Sequence, residues 1–199
     1  MSTRVGLSKV TVVEPNPAGF SEALTLKVVI EIFEKVPNDA IDVKFVWSPI
    51  WDFSIDQVLD ELEVGPFLTT GKHEFVLQSD PPDVSKIPDP TGPTALLVSF
   101  TYHGEEFLHI GFNVVVTCTG EIPEVFTSAE LLTRTIGRYH SKFTSIRWDT
   151  PEEGEKTSPV ASEGDEKSAS SAGARGEESE TGMTGVSLVF LYIISNSKS

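Results

Sequence analysis

Cysteine and long apolar stretches are almost absent from this sequence. The single cysteine, Cys118, cannot form an intramolecular disulfide, and no apolar stretch follows Met1 that would serve as a secretory signal. The longest apolar run covers residues 186–194, whereas a membrane-spanning helix needs about 20 apolar residues. We therefore expect a protein of a reducing compartment, with no membrane partner and no disulfide framework.

Basic side chains are also few. The 199 residues contain 15 Lys and Arg against 30 Asp and Glu, which gives a net charge of −15. Such a charge argues against direct DNA binding, because that affinity comes mainly from cations placed on phosphates. It permits binding to a strongly basic protein through complementary fields. Acidic proteins are common, however, so charge alone does not select a function.

Motifs for catalysis are missing as well. The sequence has no glycine-rich phosphate loop, nucleophile elbow or paired metal-ligand spacing. Its histidines, His73, His103, His109 and His140, are scattered along the chain, and Cys118 has no neighbouring base in the sequence. We predict a non-enzyme with no catalytic residues, no metal site and no cofactor.

The most informative stretch covers residues 94–116, where two runs of β-branched and aromatic residues flank a short turn that contains Gly104. This pattern predicts a β-hairpin whose side chains alternate between two faces. One predicted face is apolar and belongs to a core: Leu96, Val98, Phe100, Tyr102, Leu108, Ile110, Phe112 and Val114. The opposite face is mixed: Ala95, Leu97, Phe107, His109, Gly111 and Asn113.

The mixed face of the hairpin has two interpretations. A face that only met solvent would be more polar, and a second core face would lack the histidine and the asparagine, so the composition suits a binding partner. Alternatively, it is a half-covered sheet face with ordinary exposed apolar residues.

The remainder of residues 1–149 indicates an all-β fold. Short alternating runs separated by Pro, Gly, Asn and Asp are typical of an antiparallel sandwich. A capping-box pattern from Thr127 to Glu130 predicts one short helix that extends to about Arg138. We predict an immunoglobulin-like antiparallel β-sandwich with this one short helix. Besides the hairpin, the predicted strands cover residues 10–13, 24–33, 43–47, 59–64, 73–78 and 143–148.

The composition changes at Thr150. Residues 150–199 are rich in Ser, Glu, Gly and Ala and contain no aromatic residue before Phe190. Such a stretch buries too little apolar surface to offset chain entropy, so we predict a disordered acidic tail after a folded domain of residues 1–149. Residues 131–148 contain no acid and form a basic segment of an otherwise acidic domain, with Arg134, Arg138, Lys142 and Arg147.

Several short motifs resemble those of the anti-silencing-function family of histone chaperones. The most specific are Asp56-Gln-Val-Leu-Asp60 and the block Thr101-Tyr102, Gly104, Glu106-Phe107. The resemblance extends in register from about Leu7 to Trp148. Further matching motifs are Glu14-Pro-Asn-Pro17, Val64-Gly-Pro66, Gly71-Lys-His73, Ile87-Pro-Asp89, Gly111 and Ile146.

This resemblance implies a nuclear protein that binds the dimer of histones three and four and passes it to nucleosome assembly and disassembly factors. It implies that a concave sheet covers histone three and that a strand from about His140 to Ile146 pairs with a histone-four strand by β-augmentation. It also implies that a turn with Asp39 and Asp42 binds short motifs of downstream chromatin-assembly chaperones. The implied histone-binding residues are Asp56, Val64, Ala95, Leu97, His109, Gly111, Asn113, His140, Lys142 and Ile146.

Three of these positions depart from the family pattern. Ala95 stands where the family has a larger valine, His109 where it has an arginine, and Asn113 where it has a tyrosine. Each change removes contact area or a fixed charge, so we expect weaker binding or a different histone surface. The alternative function is an intracellular immunoglobulin-like adaptor that uses the same face for another basic protein.

Overall fold

The computed structural model describes residues 4–13 and 15–149, so the predicted acidic tail lies outside the described residues. These residues form nine strands and two single 3-10 turns, Phe53–Ile55 and Val84–Lys86. The strands are β1 Val5–Val12, β2 Ala18–Gly19, β3 Leu24–Ile32, β4 Ile41–Ser48, β5 Gln57–Val64, β6 Gly71–Ser79, β7 Gly92–Tyr102, β8 Glu105–Cys118 and β9 Leu132–Phe143.

The strands form two antiparallel sheets that enclose one hydrophobic core. One sheet has the order β1-β3-β6, and the other has the order β2-β9-β8-β7-β4-β5. Alternate residues of β3 are buried from Leu24 to Ile32, as a strand with one core face requires. Core packing includes an edge contact between the rings of Phe20 and Trp47, whose centroids lie 5.6 Å apart. The predicted antiparallel β-sandwich is confirmed.

The predicted hairpin consists of β7 and β8, which are joined by His103 and Gly104. Both turn residues have positive φ values, 50° and 80°, as a two-residue turn matching the twist of the strands requires. The eight residues predicted to face the core are all buried. Phe107 is buried too, contrary to its predicted place on the mixed face. A register shift between Phe100 and Thr101 accounts for this, and the Phe107 ring packs 4.7 Å from that of Trp148.

The helix predicted from Thr127 to about Arg138 is wrong, because most of this stretch belongs to strand β9. The capping pattern produces only a tight turn, in which the Glu130 N–H bonds to Ser128 Oγ and the Leu132 N–H to the Ala129 carbonyl. From Leu132 onward, pairing with β8 outweighs local helix propensity.

The predicted final strand over residues 143–148 is also wrong. Strand β9 ends at Phe143, and residues 144–149 have no regular secondary structure. This closing segment is nevertheless held in place. The Thr144 N–H donates to the Phe107 carbonyl, and the Trp148 ring lies 5.2 Å from that of Tyr102.

Arg134, which the sequence placed in a basic segment, is buried beside β2. Its guanidinium donates to the carbonyls of Gly19, Phe20 and Ala23. Burial lowers its pKa from the ordinary value. Arg134 therefore fixes the β2 segment against β9 and presents no charge to a partner.

Asp149 ties the end of the described domain to its beginning. Its side chain, only 7% exposed, forms an ion pair with Arg4 and accepts hydrogen bonds from Tyr102 Oη at 2.7 Å and the Asn38 N–H at 3.4 Å. Burial alone would raise the pKa of Asp149, but these bonds outweigh it and hold that pKa below its usual value. Asp149 is thus part of the folded domain.

We predict that Asp149→Asn lowers the free energy of unfolding by about 2 kcal/mol at pH 7, because it removes a charge from a nearly buried network. The lowered pKa means that the stabilisation is fully present above the ordinary value of 3.8 and is lost as pH falls through the folded-state value. Thermal unfolding from pH 7 to pH 3 should therefore show the two proteins converging below about pH 4. Glu63→Gln, which removes an exposed carboxylate on β5, should leave stability nearly unchanged. A constant difference between wild type and Asp149→Asn across this range would contradict the assignment.

Candidate functional site

The six-stranded sheet turns one face to the core and the other, which we call the outer face, away from it. Cross-strand pairing aligns Val58 with Val46, Val46 with Leu97, Leu97 with Gly111, and Gly111 with His140. Paired residues lie on the same side of a sheet. Val58, Val46, Leu97 and Gly111 therefore form a continuous stripe across four strands, here called the apolar row, which ends at His140 on β9.

The apolar row is accessible. Val58 is 54% exposed, and Val46, Leu97 and Gly111 are half-buried. No other strand of the described residues covers this face. Gly111 leaves its place beside Leu97 unfilled, since a Cβ built there would lie 3.6 Å from Leu97 Cδ2. The row thus has at its centre a shallow gap about the size of a methyl group.

Polar rows flank the apolar row on both sides. On one side Ala95 pairs with Asn113, and on the other Ser99, His109 and Lys142 are aligned across three strands. His109 Nδ1 lies 3.3 Å from Glu106 Oε2, so this histidine already has a carboxylate neighbour within the chain. An apolar centre with a polar rim is the usual construction of a protein-binding surface.

Seven of the ten predicted histone-binding residues are brought together in these three rows: Ala95, Leu97, His109, Gly111, Asn113, His140 and Lys142.

The other three predicted residues lie elsewhere. Asp56 is exposed at the β5 edge, one residue before the last β4–β5 pair of Trp47 and Gln57. Ile146 follows β9 and packs partly against the core. Val64 is 1% exposed and points into the core, so its side chain is not available at the surface, and its contact with a partner stays a prediction.

Charge differs between the two edges of the outer sheet. Strand β5 and the residue before it carry Asp56, Asp60, Glu61 and Glu63, whereas β9 carries Arg138 and Lys142 on its exposed part. Burial raises the pKa of Asp60, with further contributions from Asp80 and Glu61. The six-stranded sheet thus has one acidic edge and one basic edge.

The turn predicted to bind partner motifs lies at the hairpin-turn end of the sheet. Asp39 Oδ2 is 2.8 Å from His103 Nε2, and the Asp39 N–H donates to Tyr102 Oη. Asp42 is exposed on β4 and pairs in register with Glu63 and Thr101. The two carboxylates are accessible, but Asp39 already has an internal partner.

The described part of the chain has other features to consider, namely possible metal ligands, membrane-spanning helices and pockets. It contains no cluster of three or more potential metal ligands, and none of its helices has the length and apolar character needed to cross a membrane. A pocket of about 50 Å³, lined by Arg134, Asn16 and Glu22 among others, is far smaller than the roughly 300–1,000 Å³ of typical ligand sites.

Sequence reasoning missed Val46 and Val58 as members of the site. The alternation of β4, with Phe45 and Trp47 buried, does place Val46 on the opposite face. Its position beside Leu97, however, depends on β4 pairing with β7, which local patterns do not reveal. Val58 joins the row only through a register shift after Phe45.

Comparison with known proteins shows that this chain is similar to histone chaperones. The family model described as ASF1 like histone chaperone matches residues 2–149. An asf-1-like protein of Caenorhabditis elegans, named a probable histone chaperone, is 33% identical over 181 residues, which cover 84% of this chain and 69% of that protein.

Two further relatives have shorter matches. Histone chaperone asf1 of Drosophila melanogaster is 37% identical over 118 residues, covering 56% of this chain and 51% of the relative. Histone chaperone ASF1B of Homo sapiens is 35% identical over 114 residues, covering 56% and 55%. The chain thus spans about half the length of these two relatives.

Because Leu96 and Leu97 face opposite sides of the sheet, we predict that their replacement by alanine lowers the free energy of unfolding by unequal amounts. Leu96→Ala should lower the free energy of unfolding by about 2–5 kcal/mol, because it leaves a cavity in the core. Leu97→Ala should cost less than about 1.5 kcal/mol, because this side chain borders solvent. Denaturant unfolding of the two variants gives the comparison, with each serving as the other's control. Equal losses would show that the outer face is covered.

Proposed function

The chain belongs to the ASF1-like histone chaperone family, and we propose that it binds the dimer of histones three and four through its outer face. It then passes the dimer to nucleosome assembly and disassembly factors in the nucleus. The observation that carries this proposal is the alignment of the apolar row with seven of the ten predicted histone-binding residues on one uncovered face.

The build of the outer face supports a folded protein as the partner. Binding would bury the apolar surface of this row and release the water that covers it. The shallow gap at Gly111 is the proposed place for a side chain of the partner. The flanking residues Asn113, His109 and Lys142 supply hydrogen-bonding groups for the rim. Histone three provides the complementary surface in this proposal.

The acidic β5 edge supports a basic partner. Asp56, Glu61 and Glu63 are exposed there, although Glu61 also lies 2.9 Å from Lys44. Opposite charges steer a basic protein toward the sheet and disfavour acidic competitors. Since the whole chain carries a net charge of −15, the histone dimer is a better partner than free DNA.

The exposed part of β9 is the proposed site for the histone-four strand. Residues 137–143 are exposed and pair with β8 on one side only, so the other side can accept a strand by β-augmentation. The strand ends at Phe143, so the available edge stops three residues before the end of the stretch from His140 to Ile146 predicted from sequence.

Downstream chromatin-assembly chaperones would bind at Asp39 and Asp42 through short basic motifs. Because His103 already contacts Asp39, an incoming cation must share or replace that contact. This site lies at the hairpin-turn end of the sheet, where Asp42 shares the outer face with Thr101 and Glu63.

A second candidate is an adaptor that uses the outer face for another basic protein. The substitutions at Ala95, His109 and Asn113 favour it, since each reduces what the family pattern offers to histones. Binding to a histone dimer at moderate salt separates the two, because an adaptor for another protein would show no preference for histones over unrelated basic proteins.

We predict that Leu97→Arg weakens histone binding at least 100-fold, because it places an unpaired charge in the middle of the apolar row. The fold should remain intact, since Leu97 faces away from the core. The matched control is Val76→Arg, which adds the same charge to the exposed face of the other sheet. Calorimetric titration with the recombinant dimer measures both. Unchanged affinity in a folded Leu97→Arg protein would move the site elsewhere.

We also predict that histone binding weakens as pH rises from 6 to 8. Histidine loses its charge in this range, whereas arginine stays charged. If His109 meets a histone carboxylate in addition to Glu106, the complex favours the charged ring, and the added affinity disappears at higher pH. His109→Arg should flatten the profile and tighten binding at pH 8 by up to about tenfold. His73, His103 and His140 are unchanged in this variant and contribute equally to both profiles. Parallel plots of histone affinity against pH for wild type and His109→Arg would contradict the proposed charge contact.

A further inference from the structure

The edge of β9 that faces away from β8 is paired up to Ile136 and unpaired after it among the described residues. Strand β2 pairs only with Thr133 and Arg134, and the side-chain amide of Asn16 then bonds both backbone groups of Ile136, at 2.8 and 2.9 Å. After Ile136 the described residues provide no strand on this side. Residues 137–143 thus present a free sheet edge about 23 Å long, at roughly 3.3 Å per residue.

This free edge is both apolar and basic. Tyr139 and Phe143 are 38% and 45% exposed, and Arg138 and Lys142 are exposed beside them. Unpaired strand edges are templates for another strand. The two cations favour an occupant that has acidic residues close by. They also disfavour a second copy of this chain, whose own edge would bring the same charges into contact.

One segment of the same chain fits this edge. Residues 186–194, Val-Ser-Leu-Val-Phe-Leu-Tyr-Ile-Ile, are rich in β-branched and aromatic residues and contain neither a charge nor a proline. The preceding residues 150–185 contain nine acidic and three basic side chains. The apolar segment is therefore attached to an acidic stretch whose charge complements Arg138 and Lys142.

The geometry of the chain allows this contact. Phe143 pairs with Leu108 near the hairpin turn, and Asp149 is held by Tyr102 at the same end of the sheet. Residues 150–185 therefore begin close to the last residue of β9. For the disordered tail predicted from composition, a stretch of that length has an end-to-end distance of about 33 Å, which exceeds the length of the edge and gives a local concentration near the millimolar range.

We propose that residues 186–194 add to the free edge of β9 as an antiparallel strand and compete there with an incoming strand. Antiparallel addition places Val186 beside Phe143, so the connection from Asp149 need not cross the sheet. The backbone groups of the edge are then paired, and Tyr139 and Phe143 gain apolar neighbours. The self-docking stands on its own, whereas the competition with a histone strand rests on the proposed function.

Hydrogen exchange in the full chain, without histones, tests the self-docking. Outward-pointing amides of residues 137–143 should exchange at least about tenfold faster in Phe190→Asp/Leu191→Asp than in wild type, because these charges disrupt both faces of the added strand. The matched control, Ser170→Asp/Ser171→Asp, adds the same charge outside the segment and should keep the wild-type rates.

Three outcomes would overturn the proposal. Equal exchange in wild type and Phe190→Asp/Leu191→Asp means that the segment does not cover the edge. Faster exchange in the serine control as well means that added charge alone is responsible. Slow exchange that appears only at higher protein concentration assigns the edge to a second copy.

Histone titration of the same proteins separates this proposal from the proposed function. Phe190→Asp/Leu191→Asp should bind the dimer of histones three and four several-fold tighter than the serine control, because its edge is open. If the exchange difference is present but no form binds histones, the self-docking holds and the proposed function fails. If histones bind equally to both variants despite the exchange difference, the competition is refuted.

Discussion

The alternation of side chains along the β7–β8 ladder is the constraint on which both the core and the candidate site depend. Leu96 and Phe112 face the core as a pair, and their neighbours Leu97 and Gly111 face outward as the next pair. A slip of one residue would exchange these sets and place Gly111 in the core. Fold stability and the identity of the outer face are therefore set by the same register.

Features determined by local sequence were predictable. The period-two burial of β3, β4, β7 and β8 is visible in the order of their side chains, and Gly104 marks the turn that joins the hairpin. Strand β9 was not predicted, because Thr127 to Glu130 matches a helix start while the pairing partner β8 is distant in sequence. Arg134 shows the same limit, since its carbonyl partners in residues 19–23 lie more than 100 positions away.

The site residues within the predicted hairpin followed from the sequence, whereas those on the other strands of the sheet were harder to predict. Leu97 and Gly111 follow from alternation within the hairpin, and the family motifs add His140 and Lys142 on β9. Val46 and Val58 were not predicted. Val46 joins the row because β4 pairs with β7, and Val58 joins it because of a register shift between β4 and β5. The motif position Val64 is buried, which shows that a residue of a matching motif can be part of the core.

The most direct test of the outer face is NMR cross-saturation from an unlabelled dimer of histones three and four to the isotope-labelled chain. If this face binds the dimer, saturation should be strongest along β7, β8 and β9, with maxima at Leu97, Gly111 and His140. Val29 and Val76, on the exposed face of the three-stranded sheet, should remain unaffected. Strong saturation at those two valines, with none along the apolar row, would contradict the assignment.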